Sequence, residues 1–273
     1  MILLKSKKRL LSLSIVLVCG ITIFIIGLGS TGLVDETPPL FAAAARAMSE
    51  SGDWLTPKVN GMFRFDKPPL TYWLMGFFYS LPKNEIWDSY GTLSARLPSA
   101  LGSLFLMLMI GDTLFCWPQK GDRQFLTPIV ASLGFALSPL IIIWSRTAVS
   151  DALLTGTLGI SLLLFWRSMA SYNNDQCISA WVFLGFAILT KGPVAFVLAT
   201  LTITSFLLSQ NNWKMLLSKI NPKKGFLITT LISVPWYILE LIKEGKTFWD
   251  NFFGYHNFQR YTSVVNNLSL IHI

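Results

Sequence analysis

The sequence predicts an all-α integral membrane protein, built as a multi-spanning helical bundle with juxtamembrane helices in a long first outer loop. Apolar residues make up 52% of the 273 residues and charged residues only 13%, and the mean hydropathy is +0.54. This composition favours lipid over water as the solvent. Uncharged runs of near-spanning length recur along the chain, and basic residues cluster on alternate connections between them.

Uncharged runs bounded by charged residues predict seven spans within one transmembrane domain, 1–273. A spanning helix needs about 20 mainly apolar residues, or fewer when flanking charged side chains reach the headgroups. The predicted spans are about 10–29, 95–116, 124–145, 151–169, 176–190, 192–210 and 225–241.

Basic residues predict the orientation of these spans. With a cytoplasmic N-terminus, the inner segments hold the basic clusters 5–9 and 214–224, as the positive-inside rule expects. The formal charge of +8 therefore indicates orientation and not nucleic-acid binding. We expect a multi-pass protein of the cell (inner or plasma) membrane.

The first outer loop, 30–95, is far longer than a turn between bundled helices, and long ordered loops are usually functional. Residues 38–50 predict an Ala-rich helix that begins at a Pro and stops at Ser51-Gly52. Residues 68–81 are apolar and aromatic but too short to cross comfortably, so they predict a re-entrant or juxtamembrane helix.

Asp35 and Glu36 form a carboxylate pair just after the first span. Partial burial at the membrane surface can tune the pKa of such a carboxylate, which could then act as a general base. The alternative is a solvated pair that caps the helix beginning at Pro38, since acids are favourable beside helix N-termini.

Three other charged groups fall on the same predicted outer side. Asp66 and Lys67 could face a polar ligand, although the residues alone favour a surface ion pair with Arg64. Asp151 is either a functional carboxylate at membrane depth or a helix N-terminal acid that interacts with Arg146. Lys191 suits a phosphate or simply marks the turn of a helical hairpin.

The segment after the last span adds His256, Arg260 and Tyr261 to this face. An Arg fork favours phosphate, whereas a lone His is more often structural than a metal ligand. His256 and Asp66 could meet as ligands of a divalent cation only if the fold brings them together, so no metal is assigned. Carboxylates and cations on one side of a bundle suggest a substrate with phosphate and hydroxyl chemistry.

A series of motifs between about residues 32 and 261 resembles the bacterial branch of the protein O-mannosyltransferase family, which includes the lipid A aminoarabinose transferases. The motifs are Asp35-Glu36, Ala45-Arg46-Ala47-Met48, Ser51-Gly52-Asp53-Trp54, Phe65-Asp66-Lys67-Pro68-Pro69-Leu70, Tyr72-Trp73, Ala95-Arg96-Leu97-Pro98-Ser99, Leu189-Thr190-Lys191-Gly192-Pro193 and Asn257-Phe258-Gln259-Arg260. Members are multi-spanning glycosyltransferases of the GT-C type. They take a sugar from a polyprenyl-phosphate donor and attach it to a lipid or protein acceptor on the outer face.

The resemblance implies a role for each matching position. Asp35 would be the catalytic carboxylate, with Glu36 as its neighbour and Asp151 as a second acid in the cavity. The remaining matches would bind substrate, with the cations neutralising the departing lipid phosphate. These residues are Asp66, Lys67, Lys191, Arg260 and Tyr261.

Two alternatives to a glycosyltransferase stay open at this point. Charged residues near membrane depth also mark transport paths, so the chain could be a transporter or flippase of lipid-linked sugars. Family members are longer, so we expect the C-terminal part of the family to be missing here, and an inactive truncated remnant is the other alternative.

Overall fold

The computed structural model describes residues 2–82, 86, 88–117, 123–171 and 174–259. Most of these residues are helical. The elements in chain order are α1 (Ile2–Phe24), α2 (Thr37–Ser51), β1 (Lys58–Val59), β2 (Met62–Phe63), α3 (Leu70–Tyr79), α4 (Leu93–Cys116), α5 (Leu126–Ala136), α6 (Pro139–Ser145), α7 (Asp151–Ser171), α8 (Asn174–Lys191), α9 (Pro193–Leu208), α10 (Trp213–Lys219), α11 (Pro222–Glu244), α12 (Lys246–Phe248) and a π-helix (Trp249–Gln259).

Each of the seven predicted spans corresponds to a helix or a helix pair of the structure. Among the described helices, α4, α7 and α11 are long and apolar enough to cross a membrane, and α5 with α6 makes a fourth, bent candidate. α9 is apolar but has 16 residues, while α1 and α8 carry charged residues near their ends. The number of spans therefore stays a prediction.

The segment predicted as one continuous span, 124–145, is two helices that meet at 68°. The break lies at Ser138, whose backbone is extended (ψ 127°) in front of Pro139. A proline disfavours the helical conformation of the residue before it and cannot donate a backbone hydrogen bond. Pro139 thus ends α5 and begins α6, which brings the end of α6 towards the start of α7.

The first outer loop contains the two predicted helices. α2 has Pro38 in its first turn and ends at Ser51, where Gly52 follows with a φ of 74° and donates its N–H to the carbonyl oxygen of Met48. α3 packs against α2 in a buried cluster that includes Phe41 and Tyr72. Their rings stack with centroids 5.1 Å apart.

A short hairpin, β1–β2, was not expected in an all-α chain. Lys58 pairs with Phe63 in an antiparallel register, and the turn residues Asn60 and Gly61 have φ values of 52° and 79°. Asn-Gly is the preferred sequence for a two-residue turn of this hand. The hairpin carries the chain towards Asp66.

α4 is the helix on which the bundle is assembled, because α1, α3, α5 and α7 all pack against it. Where α4 crosses α7 the contact is very close: a Cβ atom at Gly156 would lie 2.5 Å from the carbonyl oxygen of Gly102. Small residues at such crossings let membrane helices approach backbone to backbone. This crossing fixes the start of α7, where Asp151 lies.

Candidate active site

A cavity of about 740 Å³ opens where the loop before α2, the start of α7, the α8–α9 turn and the π-helix come together. It gathers most of the described residues that the sequence predicts as functional. Its walls include Asp35, Asp66, Lys67, Asp151 and Lys191. Glu36 is not among the lining residues, and Arg260 and Tyr261 lie outside the described residues.

Asp35 is exposed at the cavity in a left-handed backbone conformation, with φ of 75°. Such a conformation costs about 1–3 kcal/mol and clusters at functional sites. Its Oδ1 accepts a hydrogen bond of 2.8 Å from the backbone N–H of Glu36, and Glu36 makes no side-chain cap bond to α2. The pair therefore does not form an ordinary helix cap.

Two arginines hold the segment that leads to Asp35. Arg96, whose residue is only 8% exposed, donates to the carbonyl oxygens of Leu28 (2.7 Å) and Gly32 (2.7 Å). Arg146 donates to the carbonyl oxygens of Ile23 and Ile26 at 2.9 and 3.0 Å, where α1 ends. Because carbonyls at a helix end lack partners within the helix, these cations fix the chain that carries Asp35.

Asp66 belongs to a largely buried network and not to a surface ion pair. Its carboxylate accepts hydrogen bonds from Arg64 and from the hydroxyl of Tyr72, both at 2.8 Å. The Arg64 and Asp66 side chains are only 16% and 17% exposed. Burial and the Asp66 charge raise the pKa of Tyr72 well above its usual value, so the phenol remains a donor.

Asp151 and Lys191 form an ion pair at the cavity wall, with Nζ and Oδ1 2.5 Å apart. Asp151 is the first residue of α7 and Lys191 the last of α8, which ends because Gly192 has a φ of 81°. The alternative in which Asp151 interacts with Arg146 is wrong, since the Arg146 side chain donates to carbonyl oxygens at the end of α1. Lys191 both marks a helical turn and faces the cavity.

Lys67 lies beside Asp66 and also faces the cavity, with Nζ donating to the Asp66 carbonyl oxygen at 2.9 Å. The charged side chains of the walls are therefore balanced. Three carboxylates (Asp35, Asp66 and Asp151) face three cations (Arg64, Lys67 and Lys191). The cations of such a cavity can bind an anionic group of a ligand. A carboxylate then remains available beside a hydroxyl group of a ligand.

Several lining residues were not among the predicted site residues. Arg64, Trp144 and Phe252 line the cavity. Arg64 could have been found from its place beside Asp66, whereas nothing in the sequence separates Trp144 or Phe252 from other aromatic residues.

His256 and Asp66 line the same cavity and also an adjoining one of about 410 Å³. Within the described part of the chain, no group of three or more His, Cys, Asp or Glu side chains is placed to hold a metal ion. A divalent cation therefore stays unassigned.

Comparisons with known proteins give consistent matches. Residues 66–239 match the family described as dolichyl-phosphate-mannose-protein mannosyltransferase. An uncharacterized protein of Aquifex aeolicus is 31% identical over 263 residues, which is 94% of this chain and 55% of that protein. The undecaprenyl phosphate-alpha-4-amino-4-deoxy-L-arabinose arabinosyl transferase 2 of Pseudomonas fluorescens is 25% identical, over 87% of this chain and 42% of that enzyme.

Solved structures of ArnT from Cupriavidus metallidurans share the fold. The apo structure superposes with a TM-score of 0.77 at 23% identity, over 90% of this chain and 44% of that chain. The structure bound to undecaprenyl phosphate gives 0.72 at 24% identity, over 91% and 44%. The chain spans about half the length of the relatives it matches. The predicted multi-spanning helical fold is confirmed.

Proposed function

Because this chain belongs to the dolichyl-phosphate-mannose-protein mannosyltransferase family, we propose that it is an integral-membrane glycosyltransferase. It moves a sugar from a polyprenyl-phosphate donor to a hydroxyl group of a lipid or protein on the outer face of the membrane. The family resemblance read from the motifs is confirmed. The observation that carries the activity is the cavity in which Asp35 shares walls with Lys67 and Lys191.

In this proposal Asp35 is the general base. The acceptor oxygen attacks the anomeric carbon of the sugar, its proton passes to the Asp35 carboxylate, and the bond between that carbon and the phosphate oxygen breaks. General-base assistance of this kind is worth about 10²- to 10⁴-fold. Glu36 is the neighbour of this carboxylate and lies just outside the lining of the cavity.

The cations of the cavity receive the leaving group. Lys67 and Lys191 stabilise the negative charge that develops on the polyprenyl phosphate, and Asp151 holds Lys191 in place before the donor arrives. Asp66, anchored by Arg64 and Tyr72, orients the sugar. By analogy with the family motif, Arg260 also neutralises the phosphate, and Tyr261 beside it binds substrate.

The donor is most simply an undecaprenyl-phosphate sugar and the acceptor a lipid, because relatives named for that donor match most of this chain. Lipid A modification is the corresponding process. A protein acceptor is the alternative, from the description of the family. The protein is embedded in the bacterial inner membrane by seven spans with a cytoplasmic N-terminus, an orientation that rests on its basic segments.

The test is an Asp35→Asn variant of the full chain, assayed in membranes with a labelled polyprenyl-phosphate sugar. Transfer of label to the lipid or protein fraction is expected to fall about 10²- to 10⁴-fold. Asp53→Asn is the matched control, since Asp53 lies in the same loop, is ion-paired, and does not line the cavity.

Undiminished transfer by Asp35→Asn contradicts the role given to Asp35. Movement of the lipid-linked sugar across the membrane without a new glycosidic bond would contradict the transferase itself and indicate a flippase.

A further inference from the structure

Another cavity lies at the end of the bundle opposite the candidate active site. It is an apolar groove of about 710 Å³ with α4 as its floor and with α1 and the α7–α8 pair as its walls. α7 begins at Asp151 in the active-site cavity, and Arg167 lies sixteen residues later. At 1.5 Å per residue the two positions are about 24 Å apart along the helix.

The groove walls are mainly hydrocarbon side chains that the protein covers only in part. They include Leu13 and Leu17 of α1, Leu108 of α4 and Leu164 of α7. At the mouth, Leu10 is 69% exposed and Phe105 54% exposed. An apolar groove between membrane helices is energetically suited to acyl chains.

One end of the groove is charged. Asp112 lines it and accepts hydrogen bonds from Arg9 Nε at 2.7 Å and from Arg167 Nη1 at 2.9 Å. Two guanidinium groups on one carboxylate leave one positive charge in excess within this cluster. Although it is paired, the Arg9 side chain remains 47% exposed, and the exposed Lys7 and Lys8 precede it.

We propose that this groove binds an anionic phospholipid of the membrane. Its acyl chain lies along α4 between α1 and α7, and its headgroup phosphate lies at Arg9. Basic pockets between membrane helices bind anionic headgroups, and each cation near the surface contributes favourably. A zwitterionic lipid would gain little from the positive end, and a second copy of this chain would bring two like-charged ends together.

The test measures which lipid stays bound when the protein is extracted from a bilayer. The full chain is reconstituted into nanodiscs of phosphatidylcholine with a minor fraction of phosphatidylglycerol, released into mild detergent and weighed by native mass spectrometry. We expect bound phosphatidylglycerol above its share of the bilayer. Arg9→Gln removes the headgroup contact and should lower this enrichment about fivefold.

Two further variants separate the groove from general charge. Ser14→Phe fills the groove from an exposed lining position and leaves all the cations in place, so it should also release the lipid. Lys214→Gln removes one exposed positive charge outside the groove and should leave the enrichment unchanged. The proposal is overturned if Arg9→Gln and Lys214→Gln act alike, if Ser14→Phe retains the lipid, or if the protein emerges as a lipid-free dimer.

Discussion

The two ends of α7 carry the same chemistry in opposite settings. At its first residue Asp151 pairs with Lys191, and their side chains are 41% and 31% exposed beside a cavity of about 740 Å³. Near its last turn Arg167 pairs with Asp112, and these side chains are only 9% and 15% exposed. Asp112 also has a second cation, Arg9.

Accessibility, and not charge, therefore distinguishes the candidate site from the other end of α7. A ligand phosphate can replace the Asp151 carboxylate as the partner of Lys191, because both atoms already face open space. Arg167 cannot make that exchange cheaply, since its own side chain is only 9% exposed and a buried charge left without its partner is costly. The open pair is suited to chemistry, and the closed pair to holding α4 and α7 together.

The largest expected contrast between the two pairs is in catalysis. Lys191→Gln keeps a long polar side chain but removes the charge that stabilises the departing phosphate. Loss of one preorganised group of this kind costs about 10²- to 10³-fold in turnover. We expect a fall of that size in sugar transfer, measured in membranes with labelled donor, with the melting temperature little changed.

Lys58→Gln is the matched control for this variant, because Lys58 also pairs with an aspartate, Asp53, but lies outside the cavity. Equal losses of transfer in the two variants would contradict the distinction between an open catalytic pair and an ordinary one.

The sequence could predict the charged residues of the site but not their partners. Asp151 and Lys191 stand out in the sequence because each interrupts an apolar run, but nothing in the sequence pairs one with the other. Arg146 donates instead to the carbonyl oxygens of Ile23 and Ile26. This contact depends on how α1 lies in the tertiary structure, which no local sequence pattern encodes. Nothing in the sequence around Tyr72 indicates that its hydroxyl reaches back to Asp66.

The sequence predicted where the helices lie better than it predicted whether each helix is unbroken. Hydrophobic runs bounded by charges located α4, α7 and α11, because burial in lipid and charge at the headgroups set those limits. The bend between α5 and α6 was missed although Pro139 was visible, since proline is tolerated inside membrane helices and only packing decides whether it breaks one. The hairpin at Asn60-Gly61 was also missed, although this dipeptide is the preferred sequence for such a turn.

The closed pair should show its contribution in stability and not in transfer. Arg167→Gln removes one partner of Asp112, a change that typically costs about 3–5 kcal/mol for a buried pair. Because Arg9 still faces Asp112, we expect about 2 kcal/mol here. Thermal unfolding in detergent should show the loss, while transfer per folded molecule stays near wild type; a selective loss of transfer would erase the contrast between the two ends.

The smallest expected effect on stability is that of Asp53, which lies in the first outer loop and pairs with two lysines. This effect depends on pH. Asp53 accepts hydrogen bonds from Lys58 at 3.2 Å and from Lys243 at 3.0 Å, with all three side chains about a third exposed. Desolvation opposes its ionisation, but hydrogen bonds from Lys243, Lys58 and the N–H groups of Thr56 and Leu55 outweigh it and lower the pKa of Asp53 to about 2. Solvent screening keeps the stabilisation below about 1 kcal/mol.

The sign of this effect follows from the lowered pKa. Since the carboxyl ionises more readily in the folded protein, its contribution is fully present above the ordinary pKa of 3.8 and is lost as the pH falls towards 2. The stability difference between wild type and Asp53→Asn, measured by thermal unfolding, should therefore be constant from pH 7 to 5 and vanish between about pH 4 and 2. A difference that persists at pH 2 would show that Asp53 stabilises the loop through geometry and not charge, which would set it apart from both ends of α7.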